Sequence, residues 1–284
     1  MKTESGKLKT ENKLSTFHFP LSTFHFLMRN ISMPALILSV QISGENNRRV
    51  TIFSPSEGIH FATLYGGPKS KLRSLVSPMN SGVIYLYRDE VKNQTKITDF
   101  DVKNCHLSFR ENLFKTYSAS LATEILIKTK CAGFPEEAWK IVNGFLDGIE
   151  LSSEDESRLG LVRFLWRYLG LLGVRPDSAV CCNCGNSLHA QKFTSDSLSQ
   201  KYIFSPFENG FSCPDCASLE KGNIQLSKPA ITYLEAISSL SPKEVRNITV
   251  SGKTLLEMKN LVYNLIEQNC GSKLNSLESG IGIL

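Results

Sequence analysis

After about residue 33, the chain has two regions that differ in the spacing of their apolar residues. Residues 35–102 contain short runs that alternate or are rich in β-branched side chains, with turn clusters such as Gly44-Glu45-Asn46-Asn47 between them. The runs are Leu36–Ile42, Arg48–Phe53, Ile59–Tyr65, Val83–Tyr87 and Gln94–Val102. Five short strands of this kind predict a small barrel of the OB-fold type. Another small barrel or a β-sandwich is the alternative.

From residue 108 onward the apolar residues recur at helical spacing. Large side chains repeat every four positions from Leu113 to Ile125. Further helices are predicted to begin at Pro135 and near Ser152, because proline and acidic residues favour the first turn of a helix. The sequence therefore predicts an α+β protein, with an N-terminal OB-fold β-barrel followed by an α-helical domain.

Two Cys-x-x-Cys pairs interrupt the helical pattern, and their members are Cys181, Cys184, Cys213 and Cys216. Two residues between thiolates allow one tight turn to present both sulfurs to one ion. Two such turns supply the four sulfur ligands of a structural zinc. A closed four-thiolate site has no open coordination position, so we expect a scaffold role. Buried or disulfide-bonded cysteines, or a site that has lost its metal, are the alternative interpretations.

These patterns divide the chain into predicted segments. Residues 1–32 are predicted to be a disordered leader, in which Leu14–Phe19 repeats as Leu21–Phe26. Within it, Met28 competes with Met1 and with Met33 as the first residue of the protein. The remaining segments are an OB-fold domain at 33–103, the first part of the helical domain at 104–180, a four-cysteine zinc module at 181–221 and the second part of the helical domain at 222–284.

Composition and charge limit the class of protein. The chain has 284 residues, 41% of them hydrophobic and 21% charged, as in a folded globular protein of about two domains. Its net charge is +5, and residues 33–103 carry nine Lys/Arg against six Asp/Glu. The sequence has neither a membrane-spanning run nor a secretory leader, so we expect a cytoplasmic protein with no membrane partner and with reduced cysteines.

Basic residues of the predicted barrel suggest a polyanionic ligand. Arg48 and Arg49 open the second strand, and Lys69, Lys71 and Arg73 follow the third. Aromatic residues lie nearby in the sequence, at Phe53, Phe61, Tyr65, Tyr85 and Tyr87. Cations that follow phosphates, combined with aromatic faces that stack on bases, form a surface for single-stranded nucleic acid. The alternative is a solvated charged face with the aromatic residues in the core.

Catalytic motifs are lacking in the sequence. The five histidines are dispersed, and neither a His-Glu-x-x-His motif nor a nucleophile elbow occurs. Gly252-Lys253-Thr254 resembles the end of a phosphate loop, but Asn247 occupies the position where that loop needs glycine. Ser251 is instead predicted to cap a helix. We therefore predict that the protein is not an enzyme.

Arg163 and Arg167 lie four residues apart on an otherwise apolar helix. A buried charge without a partner costs several kcal/mol, so these arginines need partners. We expect an internal acid, either Glu124 or one of Glu154–Glu156. An incoming acidic peptide is the alternative.

The order of these parts resembles the RecO family of bacterial recombination mediator proteins. In the predicted barrel, the resemblance is carried by Arg48–Thr51 and Gly67–Leu72. Around the cysteines, it is carried by Gly170–Pro176 followed by Cys181-x-x-Cys184-Gly185, and by Phe204-Ser205-Pro206 and Gly210 followed by Cys213-x-x-Cys216. Near the C-terminus, it is carried by Gly271–Ser276. It implies an OB-fold domain that binds single- and double-stranded DNA and anneals complementary strands. It also implies loading of the strand-exchange recombinase onto DNA coated by single-strand-binding protein, and hence a nucleoid-associated protein.

The resemblance further implies two protein partners. The partners are RecR and the acidic, hydrophobic C-terminal tail of single-strand-binding protein, for which Arg163 and Arg167 are candidate contacts. The metal predicted from the cysteine spacing is one structural zinc per chain, and Cys182 is an extra thiol that could compete for it. Two other functions stay open: a zinc-ribbon adaptor that binds only proteins, and an enzyme of RNA or nucleotide metabolism with a structural zinc.

Overall fold

The computed structural model describes residues 30–67, 69–189, 201–218 and 222–284. The predicted leader up to residue 29, with its internal repeat and Met28, lies outside them. The described strands are β1 Asn30–Ser43, β2 Asn47–Ser54, β3 Gly58–Leu64, β4 Ser81–Asp89, β5 Gln94–Asn104, β6 Lys201–Ser205, β7 Gly210–Ser212 and β8 Ile224–Ser227. The described helices are α1 Lys71–Leu75, α2 Leu113–Lys128, α3 Pro135–Glu150, α4 Glu154–Leu171, α5 Lys228–Ser239, α6 Pro242–Arg246, α7 Gly252–Asn269 and α8 Asn275–Ser279. Single 3-10 turns occupy Leu107–Arg110 and Lys130–Gly133.

The first five strands close into a barrel in the order β1-β2-β3-β5-β4, with β1 hydrogen-bonded to both β2 and β4. The pair β3–β5 is parallel, with Thr63 opposite Lys96. Side chains such as Ile37, Ile52 and Ile84 fill the interior and are fully buried. The predicted OB-like barrel in an α+β protein is confirmed.

β1 is longer and more apolar than the sequence pattern predicts. It begins at Asn30, three residues before the predicted start of the barrel, because 30–32 pair with the end of β4. Residues 35–38 are all buried, since the inner face of β1 lines the barrel and its outer face meets the helices. Phe53 of β2 joins the same contact, with its ring centroid 5.5 Å from that of Trp139 on α3. Phe53 is therefore a core residue, and its predicted place among base-stacking aromatics is wrong.

The helices and the cysteine segment share one hydrophobic core. The rings of Trp166 on α4 and Phe211 on β7 lie 6.4 Å apart, and Phe204 on β6 lies 5.5 Å from Phe211. The three-stranded sheet β7-β6-β8 thus packs against the helices that flank it in sequence. The cysteine segment therefore folds together with the helices, because both bury the same aromatic side chains.

Helix starts follow the sequence signals. Ser153 and Glu156 form a reciprocal capping box at the start of α4. The Ser251 hydroxyl accepts a hydrogen bond from the Thr254 backbone N–H at 3.2 Å, so the predicted cap of α7 is confirmed. The short helices α6 and α8 were not predicted, because five residues are too few to show a helical period. Within the described ranges, every helix is too short or too polar to traverse a lipid bilayer.

Candidate nucleic-acid interface and metal centre

A row of paired residues crosses the outer face of the barrel. Arg49 of β2 lies opposite Thr63 of β3, Thr63 lies opposite Lys96 of β5, and Lys96 lies opposite Tyr87 of β4. Paired residues on neighbouring strands point to the same side of a sheet. The row therefore brings two cations and an aromatic ring, from three strands, onto one face.

Each cation of this row contacts an aromatic ring on β3 or directly after it. The Arg49 guanidinium carbon lies 4.2 Å from the centroid of Phe61, and Lys96 Nζ lies 5.2 Å from the centroid of Tyr65. Phe61 is 53% exposed and Tyr65 is 42% exposed, so both rings remain accessible to a base. We call Arg49, Phe61, Tyr65 and Lys96 the cation–aromatic face.

Lys96 was missed by the sequence analysis. It is the third residue of β5, 47 positions after Arg49 in the sequence, and nothing in its local sequence connects the two. Only the parallel pairing of β3 with β5 brings them into one row. Farther along β5, the exposed Asp99 and Asp101 limit the positive surface.

The other predicted DNA-binding residues lie around the same end of β3. Arg48 pairs with Leu64, is half-buried and donates from Nη1 to the Asn47 carbonyl at 3.4 Å. Lys69 is exposed in the connection that leaves β3. Lys71 is exposed and Arg73 is half-buried on α1, which packs against β5. The connection therefore continues the basic surface from β3 towards β5.

The four predicted metal ligands come together. The sulfur atoms of Cys181, Cys184, Cys213 and Cys216 all lie within 4.8 Å of one another. The first turn is closed by the Gly185 N–H, which donates to the Cys181 carbonyl at 2.9 Å, and Gly185 has a positive φ of 72° that favours glycine. The second turn is closed by the Cys216 N–H, which donates to the Cys213 carbonyl at 3.0 Å.

The electrostatics of this cluster suit a cation. Burial acts to raise the pKa of Cys181, but hydrogen bonds from backbone N–H groups, among them that of Cys213 at 3.3 Å, outweigh it and lower the pKa to about 6. Hydrogen bonds with the neighbouring thiols raise the pKa of Cys216 to about 12. Four thiolates so close together repel one another unless a divalent cation neutralises them. The donor set can hold a metal ion, and soft sulfur ligands in this number favour zinc.

Cys182 lies outside this group of four sulfurs. Its backbone N–H donates to the Phe211 carbonyl at 2.9 Å, and its side chain packs against Gly210. A Cβ on Gly210 would lie 2.6 Å from the Cys182 Cβ, so this position requires glycine. Cys182 thus joins the first turn to β7, and its sulfur is not one of the four that form the cluster.

Arg163 and Arg167 line a cavity of about 370 Å³ between α3, α4 and α6. Its apolar wall includes Phe145 and Phe164, and Arg246 of α6 adds a third guanidinium. Arg163 donates from Nη1 to the Tyr233 hydroxyl at 3.1 Å. Arg167 Nη2 is buried without a hydrogen-bond partner among the residues described. We call this the arginine pocket.

The predicted internal acids do not pair with these arginines. Glu124 accepts hydrogen bonds from the backbone N–H groups of Asn275 and Ser276 at 2.9 and 2.8 Å, and Glu154 pairs with Arg158 at 2.6 Å. Glu156 lines the pocket, but it accepts from its helix cap. That prediction is wrong for the described parts of the chain, where neither arginine forms an ion pair and Glu124, Glu154 and Glu156 have other donors.

The arginine pocket therefore keeps a net positive charge. Burial lowers the pKa of Arg167, and repulsion from Arg163 lowers it further. Arg246 and Arg175 act in the same direction. A ligand that carries an anionic group next to an apolar group would neutralise these charges and cover the apolar wall of the pocket.

Comparisons with known proteins cover both halves of the chain. The family model described as Recombination protein O N terminal matches residues 28–105, and Recombination protein O C terminal matches residues 110–278. The chain is 22% identical over 253 residues to a protein of Desulforamulus reducens named DNA repair protein RecO, covering 88% of this chain and 94% of that protein. A protein of the same name from Acetivibrio thermocellus is 24% identical over 259 residues, covering 88% of this chain and 96% of that protein. A third, from Syntrophomonas wolfei, is 25% identical over 260 residues, covering 88% and 95%.

Proposed function

The chain belongs to the RecO family, and from that premise we propose that it acts in DNA repair and recombination as a DNA-binding mediator that is not an enzyme. It would bind single- and double-stranded DNA, anneal complementary strands and help to load the strand-exchange recombinase onto DNA coated by single-strand-binding protein. RecR is proposed as a partner because of the family likeness.

The cation–aromatic face is the observation that supports DNA binding most directly. Arg49 and Lys96 can neutralise phosphates, and the exposed rings of Phe61 and Tyr65 can stack on bases. Annealing would follow because two strands that have lost their mutual repulsion can be held close together on one protein. The deciding experiment is an annealing assay with complementary strands coated by single-strand-binding protein. Acceleration is expected, whereas the absence of DNA retention at low salt would favour an adaptor that binds only proteins.

Phe61→Ala is expected to weaken binding of single-stranded DNA by about tenfold, within the roughly 1–3 kcal/mol that one stacked base contributes. The slope of log affinity against log salt should stay unchanged, because stacking releases no counterions. Fluorescence anisotropy at several salt concentrations measures both quantities. Phe207→Ala is the matched control, since Phe207 is 92% exposed between β6 and β7, away from the barrel strands. A changed slope would mean that Phe61 acts only by supporting Arg49.

The arginine pocket is proposed to bind the acidic, hydrophobic C-terminal tail of single-strand-binding protein. Its unneutralised Arg163 and Arg167 suit carboxylates, and the aromatic wall beside them suits an apolar side chain. This assignment gives the unpaired Arg167 a reason to persist, although its burial costs stability in the free protein.

Arg167→Met is expected to raise the free energy of unfolding by about 1 kcal/mol, because it removes a buried donor that lacks a partner. The same change should lower affinity for a tail peptide by at least about tenfold, because one charge-assisted contact is lost. Denaturant unfolding and peptide titration measure the two effects. Arg110→Met changes an exposed cation outside the pocket and should leave both unchanged. Destabilisation by Arg167→Met would instead indicate an internal partner.

We further propose that the four clustered cysteines hold one zinc ion per chain. Its chemistry would be structural, since four sulfur ligands fill the tetrahedron. Cys181 and Cys184 would hold it from the segment after α4, and Cys213 and Cys216 from the segment after β7. The ion would thereby fix the sheet β7-β6-β8 against the helices that share its core.

A further inference from the structure

Arg246 enters the arginine pocket from a different helix than the other two guanidiniums. Arg163 and Arg167 belong to α4, whereas Arg246 is the last residue of α6. A Cβ on Gly148 of α3 would lie 3.1 Å from Arg246 Nη2, so this guanidinium lies against the backbone of α3. The pocket therefore has one guanidinium on its α3 side and two on its α4 side.

Arg246 has free hydrogen-bond donors. It is exposed, and within the ranges that the structure describes its side chain forms neither a hydrogen bond nor an ion pair. Glu156, which also lines the pocket, accepts from the Ser153 N–H at 3.2 Å and so serves the cap of α4. Burial lowers the pKa of Arg167 most, and the charges of Arg163 and Arg246 lower it further. The three cations are thus close enough to act on one anion.

The backbone of Arg246 is held in place at the pocket. The preceding residue, Val245, is fully buried. At the start of α6, the Ser241 N–H donates to the Glu244 carboxylate at 2.9 Å, and the Glu244 N–H donates to the Ser241 hydroxyl at 3.4 Å. This capping box fixes the single turn that precedes Arg246. An exposed, unpaired arginine is common on protein surfaces, but this one is fixed at the pocket and only its side chain is free to turn.

Glycines leave room on the α3 side of the pocket. Gly144 and Gly148 are one turn apart on α3, and both line the pocket. Glycine within a helix costs stability relative to alanine, so neither is favoured by the helix itself. At Gly148 the missing Cβ leaves the space in which the Arg246 guanidinium lies. Any larger residue at this position would displace that guanidinium.

We propose that Arg246 is a specificity-determining residue of the arginine pocket, which binds a carboxylate of an acidic peptide from the α3 side while Arg163 and Arg167 bind it from the α4 side. A carboxylate has about four lone-pair positions, so it can accept hydrogen bonds from guanidiniums on both sides. The inference rests on the proposed function, because it deepens the assignment of this pocket to the tail of single-strand-binding protein. Gly148 is the position that allows Arg246 to act.

The first test compares two peptides in the full chain. One is a peptide of the C-terminal tail of single-strand-binding protein, and the other is the same peptide with each Asp replaced by Asn. Arg246→Met is expected to lower affinity for the acidic peptide by about tenfold, the value of a hydrogen bond between charged groups. Affinity for the amide peptide should not change. Arg110→Met, which alters an exposed cation outside the pocket, should leave both affinities unchanged.

Two results of this comparison would overturn the inference. An equal loss for both peptides would mean that Arg246 contributes packing and does not read charge. An unchanged affinity for the acidic peptide would remove Arg246 from the site. Denaturant unfolding of Arg246→Met checks that the variant is folded, as expected for the substitution of an exposed side chain without a partner.

The second test is a double-mutant cycle with Gly148→Ala. The added methyl group should push the Arg246 guanidinium aside and lower affinity for the acidic peptide by about threefold, whereas the same change in Arg246→Met should have no effect. An equal loss in both backgrounds would mean that the methyl group obstructs the peptide itself, and the role of Gly148 would fail.

The outcomes also separate this inference from the proposed function. If the unchanged protein does not bind the acidic peptide, the assignment of the pocket to the tail fails, and the role of Arg246 fails with it. If the peptide binds and Arg167→Met weakens it while Arg246→Met does not, the tail assignment stands and the role of Arg246 alone is wrong.

Discussion

Cys181→Ser is expected to lower the free energy of unfolding by about 4 kcal/mol, among the largest effects of a single substitution. Cys181 is 1% exposed, and its sulfur accepts a hydrogen bond from the backbone of Cys213 in the second turn. Serine removes one of four soft ligands and leaves three crowded thiols around a weakened site. The damage should spread to the helices, because Phe211 of the same segment packs on Trp166.

The measurement combines denaturant unfolding with elemental analysis of protein purified without added zinc. One zinc per chain is expected for the unchanged protein, and much less for Cys181→Ser. Cys182→Ser is the matched control, since it alters the neighbouring thiol, which lies outside the cluster. It should change stability by less than about 0.5 kcal/mol and retain the metal.

Two results would contradict the structural zinc. One is a fully folded unchanged protein without metal. The other is an equal loss of stability in both serine variants, which would mean that packing around the turn matters and coordination does not. DNA affinity per folded molecule should be similar in all three proteins, because the cluster is distant in sequence from the barrel and serves as scaffold.

Changing Lys69, Lys71 and Arg73 together to alanine is expected to weaken binding of single-stranded DNA about 100-fold at roughly 0.1 M salt. Each phosphate contact on a single strand contributes about 0.7 to the slope of log affinity against log salt, so losing three should reduce that slope by about 2. The effect should be similar for all sequences, because phosphates carry no sequence information.

A salt titration of DNA binding measures both the affinity and the slope. The control is a triple alanine variant of Lys243, Lys253 and Lys273, which are exposed cations on or near α6, α7 and α8. It removes the same net charge from the helical part of the chain. Equal losses in the two triple variants would mean that DNA responds to overall charge alone. An unchanged slope in the variant of Lys69, Lys71 and Arg73 would mean that α1 and the connection before it do not belong to the DNA interface.

Local sequence was enough for the elements of secondary structure and for the metal ligands. Apolar alternation in residues 36–102 predicted the five barrel strands, since one face of each strand lines the interior. Ser251 predicted a helix cap because a cap depends on residues three positions apart. The two Cys-x-x-Cys turns predicted one cluster, because each turn is local and four thiolates meet around one ion.

The partners of individual side chains depended on contacts between segments that are distant in sequence. Phe53 and Phe61 look alike in the sequence, yet Phe53 is covered by Trp139 of α3, whereas Phe61 stays open beside Arg49. The arginines of α4 were expected to meet acids that turned out to bind other donors. Charge pairing is long-ranged and competitive, so composition alone does not assign partners.

The sequence by itself determined a basic OB-like barrel, a helical part and a four-cysteine cluster, because hydrophobic period and ligand spacing are properties of short stretches of chain. Only the tertiary structure decided that Lys96 joins Arg49 across β3, and that Arg167 faces a cavity in which the one acid that lines it, Glu156, does not pair with it. Each of these follows from strand register or helix packing, which bring together residues that are far apart in the sequence and that no local sequence pattern connects.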